Sequence, residues 1–119
     1  MSYKEWISKI DSEIKPDKSF DIIKRDLIIG GREAVLYFID GFIKDEVYEK
    51  ILEFLYKQTP DDIAGIKDMA EFAKNKMPYV ETECEKDIEK TVTAILSGPS
   101  VLIIDGIDGA LIVDTRTYP

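Results

Sequence analysis

Asp105, Asp108 and Asp114 crowd one short stretch of the chain, IDGIDGALIVD. Carboxylates around a single turn can hold a hard cation or form an acid–base pair. Their spacing matches no EF-hand loop, and Asp beside Gly is what tight turns select. Turn geometry therefore accounts for Asp105 and Asp108, and no metal site is expected. A second acidic run, ETECEKDIEK, carries Glu81, Glu83, Glu85, Asp87 and Glu89. Negative charge at a helix start offsets the macrodipole and needs no ligand, so this run reads as a solvated face. Cys84 lies inside it, amid carboxylates and in a chain without histidine. Its thiolate is disfavoured there, and the thiol reads as inert.

Two arginines carry more information. Arg32 follows Gly30-Gly31, and Arg116 follows the last apolar run. Gly30-Gly31-Arg32 is no dinucleotide cradle, because a strand follows it where that fingerprint demands a helix. An arginine at the edge of an apolar hairpin needs a carboxylate or carbonyl partner. Asp40, Asp105 and Asp114 are near enough in the expected topology to pair with Arg32 or Arg116 and staple two hairpins together. The functional alternative is a contact with a neighbouring subdomain or with a small anionic ligand. The candidate binding or contact residues are thus Arg32, Asp40, Asp105, Asp108 and Arg116.

Composition narrows the classes. The 119 residues fit one domain, and 45% hydrophobic content supports a real core. A net charge of −8 opposes nucleic acid or an anionic lipid surface as partner. The single cysteine excludes an internal disulfide and suits a reducing compartment. Without His, a G-x-S-x-G or a ligand-spaced acid set, no enzyme class and no cofactor is indicated. The runs AVLYFI and VLII are far shorter than the ~18 residues of a membrane span, so no direct membrane insertion is expected.

The elements that position these residues follow from periodicity. Ser2 and Glu5 have capping-box spacing, Trp6, Ile7, Ile10 and Ile14 share a helical face, and Pro16 stops that helix near Lys15. From Phe20 to Ile29 the alternation slips phase, which suggests a bulge or a late strand start. Gly30-Gly31 supplies a tight hairpin turn, and REAVLYFID alternates with both faces apolar, the pattern of an inner strand. A helix over KDEVYEKILEFLYK follows, with Val47, Ile51, Phe54 and Leu55 as its stripe. Thr59-Pro60-Asp61-Asp62 opens another, with Ile63, Ile66, Ala70, Ala73 and Met77 inward and Pro78 ending it. Thr82 and Glu85, again with capping-box spacing, open a last helix that Gly98 closes. SVLIID, a GIDG turn and ALIVD complete a second hairpin.

The fold class is therefore α+β (mixed α/β), in the order α-β-β-α-α-α-β-β. Two β-hairpins form a small mixed sheet packed by amphipathic helices. An all-apolar strand closing the chain is best covered by more chain, so residues 1–119 are expected to be one domain and part of a longer protein.

IGGREAVLYFIDG and AILSGPSVLIIDGIDGALIVDTRTYP resemble the N-terminal domain of the A subunit of spore germinant receptors, the GerA family. Gly30, Gly31, Arg32, Asp40 and Gly41 match its first motif. Ser97, Gly98, Asp105, Gly106, Thr115 and Arg116 match its second. Residues 44–90 add little to the likeness. The resemblance implies a non-enzymatic first subdomain on the cytosolic side of the inner spore membrane, tethered by a membrane segment elsewhere. Its implied partners are a second subdomain of the same chain, other receptor subunits and a small-molecule nutrient. Sensing or relay through packing on that second subdomain is the leading reading, and a purely structural assembly domain is the alternative. A small enzyme comes third.

Overall fold

A computed structural model describes residues 2–18, 21–76 and 81–114, with the side chains of residues 75 and 76 left aside. The order is α1 (Tyr3–Ile14), β1 (Ile22–Ile29), β2 (Arg32–Ile39), α2 (Asp45–Tyr56), α3 (Pro60–Ile63), α4 (Met69–Lys76), β3 (Thr82–Glu85), α5 (Ile88–Leu96), β4 (Ser100–Ile104) and β5 (Ala110–Val113). The five strands form one sheet in the order β1-β2-β4-β5-β3. All pairings between these strands are antiparallel, where a mixed sheet was expected. The α+β class holds.

Strands apolar on both sides require a layer on each side. Ala34, Leu36 and Phe38 of β2, Leu102 and Ile104 of β4, and Leu111 and Val113 of β5 pack under α2, α3 and α4. On the opposite face Val35, Tyr37, Val101, Ile103 and Ala110 meet Trp6, Ile10 and Ile14 of α1 and Ile95 of α5. β2 is an inner strand, between β1 and β4.

Local chemistry sets the boundaries. Ser2 and Glu5 form the capping box reciprocally, and Lys15 ends α1 in the left-handed region at φ 49. Gly30 and Gly31 close the first hairpin with φ of 54 and 78, the two positive values that a two-residue turn matched to strand twist needs. β1 pairs with β2 in unbroken register from Ile22↔Ile39 to Ile29↔Arg32. The phase slip is thus no bulge. It reflects an edge strand whose inner face holds Leu27 and Ile29 while Ile28 lies 58% exposed on the other.

Two expectations fail in the middle of the chain. Thr82 and Glu85 begin no helix: Thr82–Glu85 is β3, paired with β5 from Thr82↔Val113 to Glu85↔Ala110. The helix starts later, where the Asp87 carboxylate accepts the Lys90 N–H at 2.9 Å. The free edge of β5 offers a ladder of backbone partners that a four-residue capping motif cannot match. β5 is consequently flanked on both edges, and its faces pack with Met69 and Phe72 of α4 on one side and Ile95 of α5 on the other.

The helix expected from Pro60 onward is two helices. Gly65 weakens its continuation, and Asp68 restarts it by accepting the Ala70 N–H at 2.8 Å. The inward residues of α4 are Met69 and Phe72; Ala70 is exposed, and Met77 and Pro78 lie outside the described residues.

Candidate functional site

The two motifs divide between opposite ends of the sheet. Gly30-Gly31-Arg32 and Asp105-Gly106 meet at one end, because antiparallel β2 and β4 bring Ala34 opposite Ile104. Asp40 and Gly41 lie at the other end of β2, roughly 25 Å away at about 3.3 Å per residue. There the Asp40 N–H donates to the Asp21 carbonyl. The expected pairing of Asp40 with Arg32 is excluded by that distance. Arg116 and Thr115 lie outside the described residues.

At the first end Arg32 lies across Gly106. A Cβ built on Gly106 meets Arg32 Nη1 at 2.7 Å, so a side chain there would displace the guanidinium, and its φ of +84 independently favours glycine. Nη1 donates one long hydrogen bond, 3.4 Å, to the Asp105 carbonyl. The Asp105 N–H in turn donates to the Glu33 carbonyl at 2.8 Å. Arg32 therefore ties the two hairpins through a carbonyl, and among the described residues it forms no ion pair with a carboxylate. The ion-pair staple expected of Arg32 is corrected on this point. No salt bridge was needed to hold the loops, because main-chain bonds already join them.

Asp108 serves a different contact. Its N–H donates to the Lys67 carbonyl at 2.8 Å, and its carbonyl accepts the Met69 N–H at 2.9 Å. This stitches the β4–β5 loop to the segment before α4. The connection runs from Asp105 to Gly109, one residue longer than the GIDG turn expected. Lys86, just after β3, bonds the Asp68 carboxylate at 2.8 Å and the Asp108 carboxylate at 3.3 Å. Lys86 and the Ala70 N–H hold the Asp68 carboxyl below the usual carboxylate range, and the same two acids raise the Lys86 ammonium. Burial, then the Asp68 charge, pushes the Cys84 thiol up, in line with an inert thiol.

Two clefts adjoin this turn. One of about 510 Å³ is lined by Arg32, Ala64, Ile66, Lys67, Asp105 and Gly106. The other, about 300 Å³, shares Lys67, Asp105 and Gly106 and reaches Ser2, Tyr3 and Trp6. The Tyr3 hydroxyl is pushed up to about 12, first by burial and then by Asp26, Glu33, Asp105 and Asp11. The site thus sets Arg32 in one cleft beside the Asp105-Gly106 turn and the Tyr3 phenol in the other, with Lys67 bordering both. It offers hydrogen bonds and charge for binding. Sequence reasoning missed Lys67 and Tyr3, for neither belongs to a local motif. No cluster of ligand-type side chains suited to a metal occurs among the described residues.

A second polar cluster was also missed. Asp11 of α1 accepts the Tyr37 hydroxyl at 2.7 Å on one carboxylate oxygen and the Lys24 ammonium at 2.5 Å on the other. Tyr37 is fully buried, and burial together with the Asp11 bond raises its hydroxyl far above the ordinary tyrosine range. These three residues join α1 to β1 and β2. Their role is to fix helix on sheet.

Comparison with known proteins complements this geometry. Residues 8–119 match the family described as Bacillus/Clostridium GerA spore germination protein. The chain is 27% identical over 106 residues to stage V sporulation protein AF of Bacillus subtilis (strain 168). That alignment takes in 85% of this chain and only 20% of the relative, so the chain spans about a fifth of that protein's length. In fold it is similar to the N-terminal domain of the A subunit of the Bacillus megaterium spore germinant receptor GerK3. That likeness has a TM-score of 0.68 at 17% identity and covers 99% of this chain and 95% of the other.

Proposed function

The chain belongs to the GerA family of spore germination proteins, and on that premise we propose that it is the first subdomain of the N-terminal region of a germinant receptor A subunit. In this reading it is a non-enzymatic module that works by packing its loop end on a second subdomain. A small molecule is sensed, or a signal relayed, at the junction. Among the described residues no helix is long and apolar enough to cross a membrane. The proposed setting is the cytosolic face of the inner spore membrane, with the tether in another part of the protein.

One observation carries the reading. The Gly30-Gly31-Arg32 and Asp105-Gly106 motif residues, 73 positions apart, converge on one exposed end beside two clefts. Core packing alone does not require an arginine laid over a glycine at an exposed turn. A guanidinium with one long bond at an exposed turn supports a surface that receives a partner.

The test is calorimetry and thermal shift on this chain beside a version extended through the next subdomain, with amino acids, sugars and monovalent ions as ligands. A shift in the extended version alone is the expected result. No shift in either, over a well-folded baseline, would shift the assignment to an assembly domain that docks other receptor subunits.

A further inference from the structure

Resting on that reading, we propose that the cleft beside Arg32 is a carboxylate site, in which the Arg32 guanidinium and the Lys67 ammonium receive one carboxylate group. Arg32 is half-buried yet spends only one long bond, to a carbonyl. Its other N–H donors have no protein partner among the described residues. A guanidinium presents paired donors at the spacing of the two oxygens of a carboxylate, and such bidentate pairs are stronger than neutral bonds. Gly106 gives the guanidinium a flat seat by omitting the Cβ that would meet Nη1 at 2.7 Å. Lys67 lines the same cleft and forms no ion pair among the described residues.

The surrounding acids do not fill this role. Lys86 holds Asp68 and Asp108, and neither lines this cleft. Asp105 lines the cleft but gives Arg32 its carbonyl and not its carboxylate. Arg32 and Lys67 thus outnumber Asp105 within the cleft, and a monocarboxylate brings the charge to balance. Ala64 and Ile66 supply an apolar wall for the carbon attached to it. The carboxylate has two sources of the same chemistry: a free small acid, or an Asp or Glu side chain of the packing subdomain.

The experiment is a nitrogen-15 NMR titration of the chain with sodium acetate against sodium chloride at equal ionic strength. Saturable shifts of the Arg32 side-chain N–H and the Gly106 amide are expected with acetate and not with chloride. Arg32→Gln abolishes them and Lys67→Gln weakens the affinity roughly tenfold, the factor for losing about 1.4 kcal/mol. Both side chains reach solvent, so both variants fold, and their spectra verify it. Equal shifts with chloride, shifts spread over many lysines, or shifts unchanged in Arg32→Gln would overturn the proposal while leaving the receptor-module reading intact. In the longer version, loss of the acetate response identifies a side-chain carboxylate already seated in the cleft. A retained response identifies a free acid.

Discussion

Replacing Tyr37 with phenylalanine removes one oxygen from the fully buried centre of the α1–sheet interface. The bond it loses runs from a phenol to a carboxylate at 2.7 Å. Hydrogen bonds to charged groups contribute about 1.5–3 kcal/mol. Asp11 keeps Lys24 and remains 29% exposed at its side chain, so water can take the vacated lone pair. The expected cost is therefore at the low end, about 1–2 kcal/mol. Asp11→Ala is worse, about 2–3 kcal/mol, because the Tyr37 hydroxyl stays buried with no acceptor and Lys24 loses its partner. Urea denaturation at pH 7 measures both, with unchanged m-values and lowered midpoints. The double variant should cost less than the sum of the singles, since each removes the same contact. An unchanged midpoint for Tyr37→Phe, or a smaller loss for Asp11→Ala than for Tyr37→Phe, would refute the assignment of this cluster as the tie between α1 and the sheet.

The same hydroxyl gives a pH dependence. Its folded-state pKa is raised, so the folded chain keeps a proton that the unfolded chain releases near pH ~10. Stability from this group is intact below that pH and falls as pH rises above it, by at most about 1.4 kcal/mol per pH unit; the fall becomes shallower in Tyr37→Phe, with Tyr3 keeping its own part. Gly106→Ala puts a side chain at φ +84 against Arg32, and Gly41→Ala meets nothing within 4 Å at φ +87. Each should destabilise by about 1–2 kcal/mol through backbone strain, but only Gly106→Ala should also move the Arg32 side-chain resonances. The Cys84 thiol, raised by burial, should react with a thiol reagent at pH 8 several-fold slower, at ~3–10 fold, in the folded chain than in denaturant.

Much of the fold was readable because its signals are local. The Ser2–Glu5 box, the Gly30-Gly31 turn and the two-faced apolar pattern of β2 each depend on residues within a few positions of one another. β3 was not readable for the opposite reason. Thr82 and Glu85 carry a helix-cap spacing, and only the free edge of β5, some 25 or more residues on, makes them a strand. The division of α3 from α4 likewise depends on Asp108, whose backbone pins Lys67 and Met69. At the site, motif residues Arg32 and Asp105 were found in the sequence and do meet, but as guanidinium on carbonyl. The charge pattern suggested an ion pair, and nothing in it reveals which oxygen of an aspartate faces a neighbour. Asp40 belonged to the same motif and stands at the far end of β2. Lys67 and Tyr3 could be found only once the loops were in place.

The proposed function makes the loop end formed by Gly30–Arg32 and Asp105–Asp108 the surface that packs on the next subdomain, and hydrogen exchange tests that proposal most directly. Amide exchange would be followed in the chain alone and in a version extended through the following subdomain. Slower exchange in the longer version at Gly31, Arg32, Gly106 and Lys67, with the Asp40–Gly41 end unchanged, is the result predicted. Protection at the Asp40–Gly41 end with none around Arg32 would contradict it.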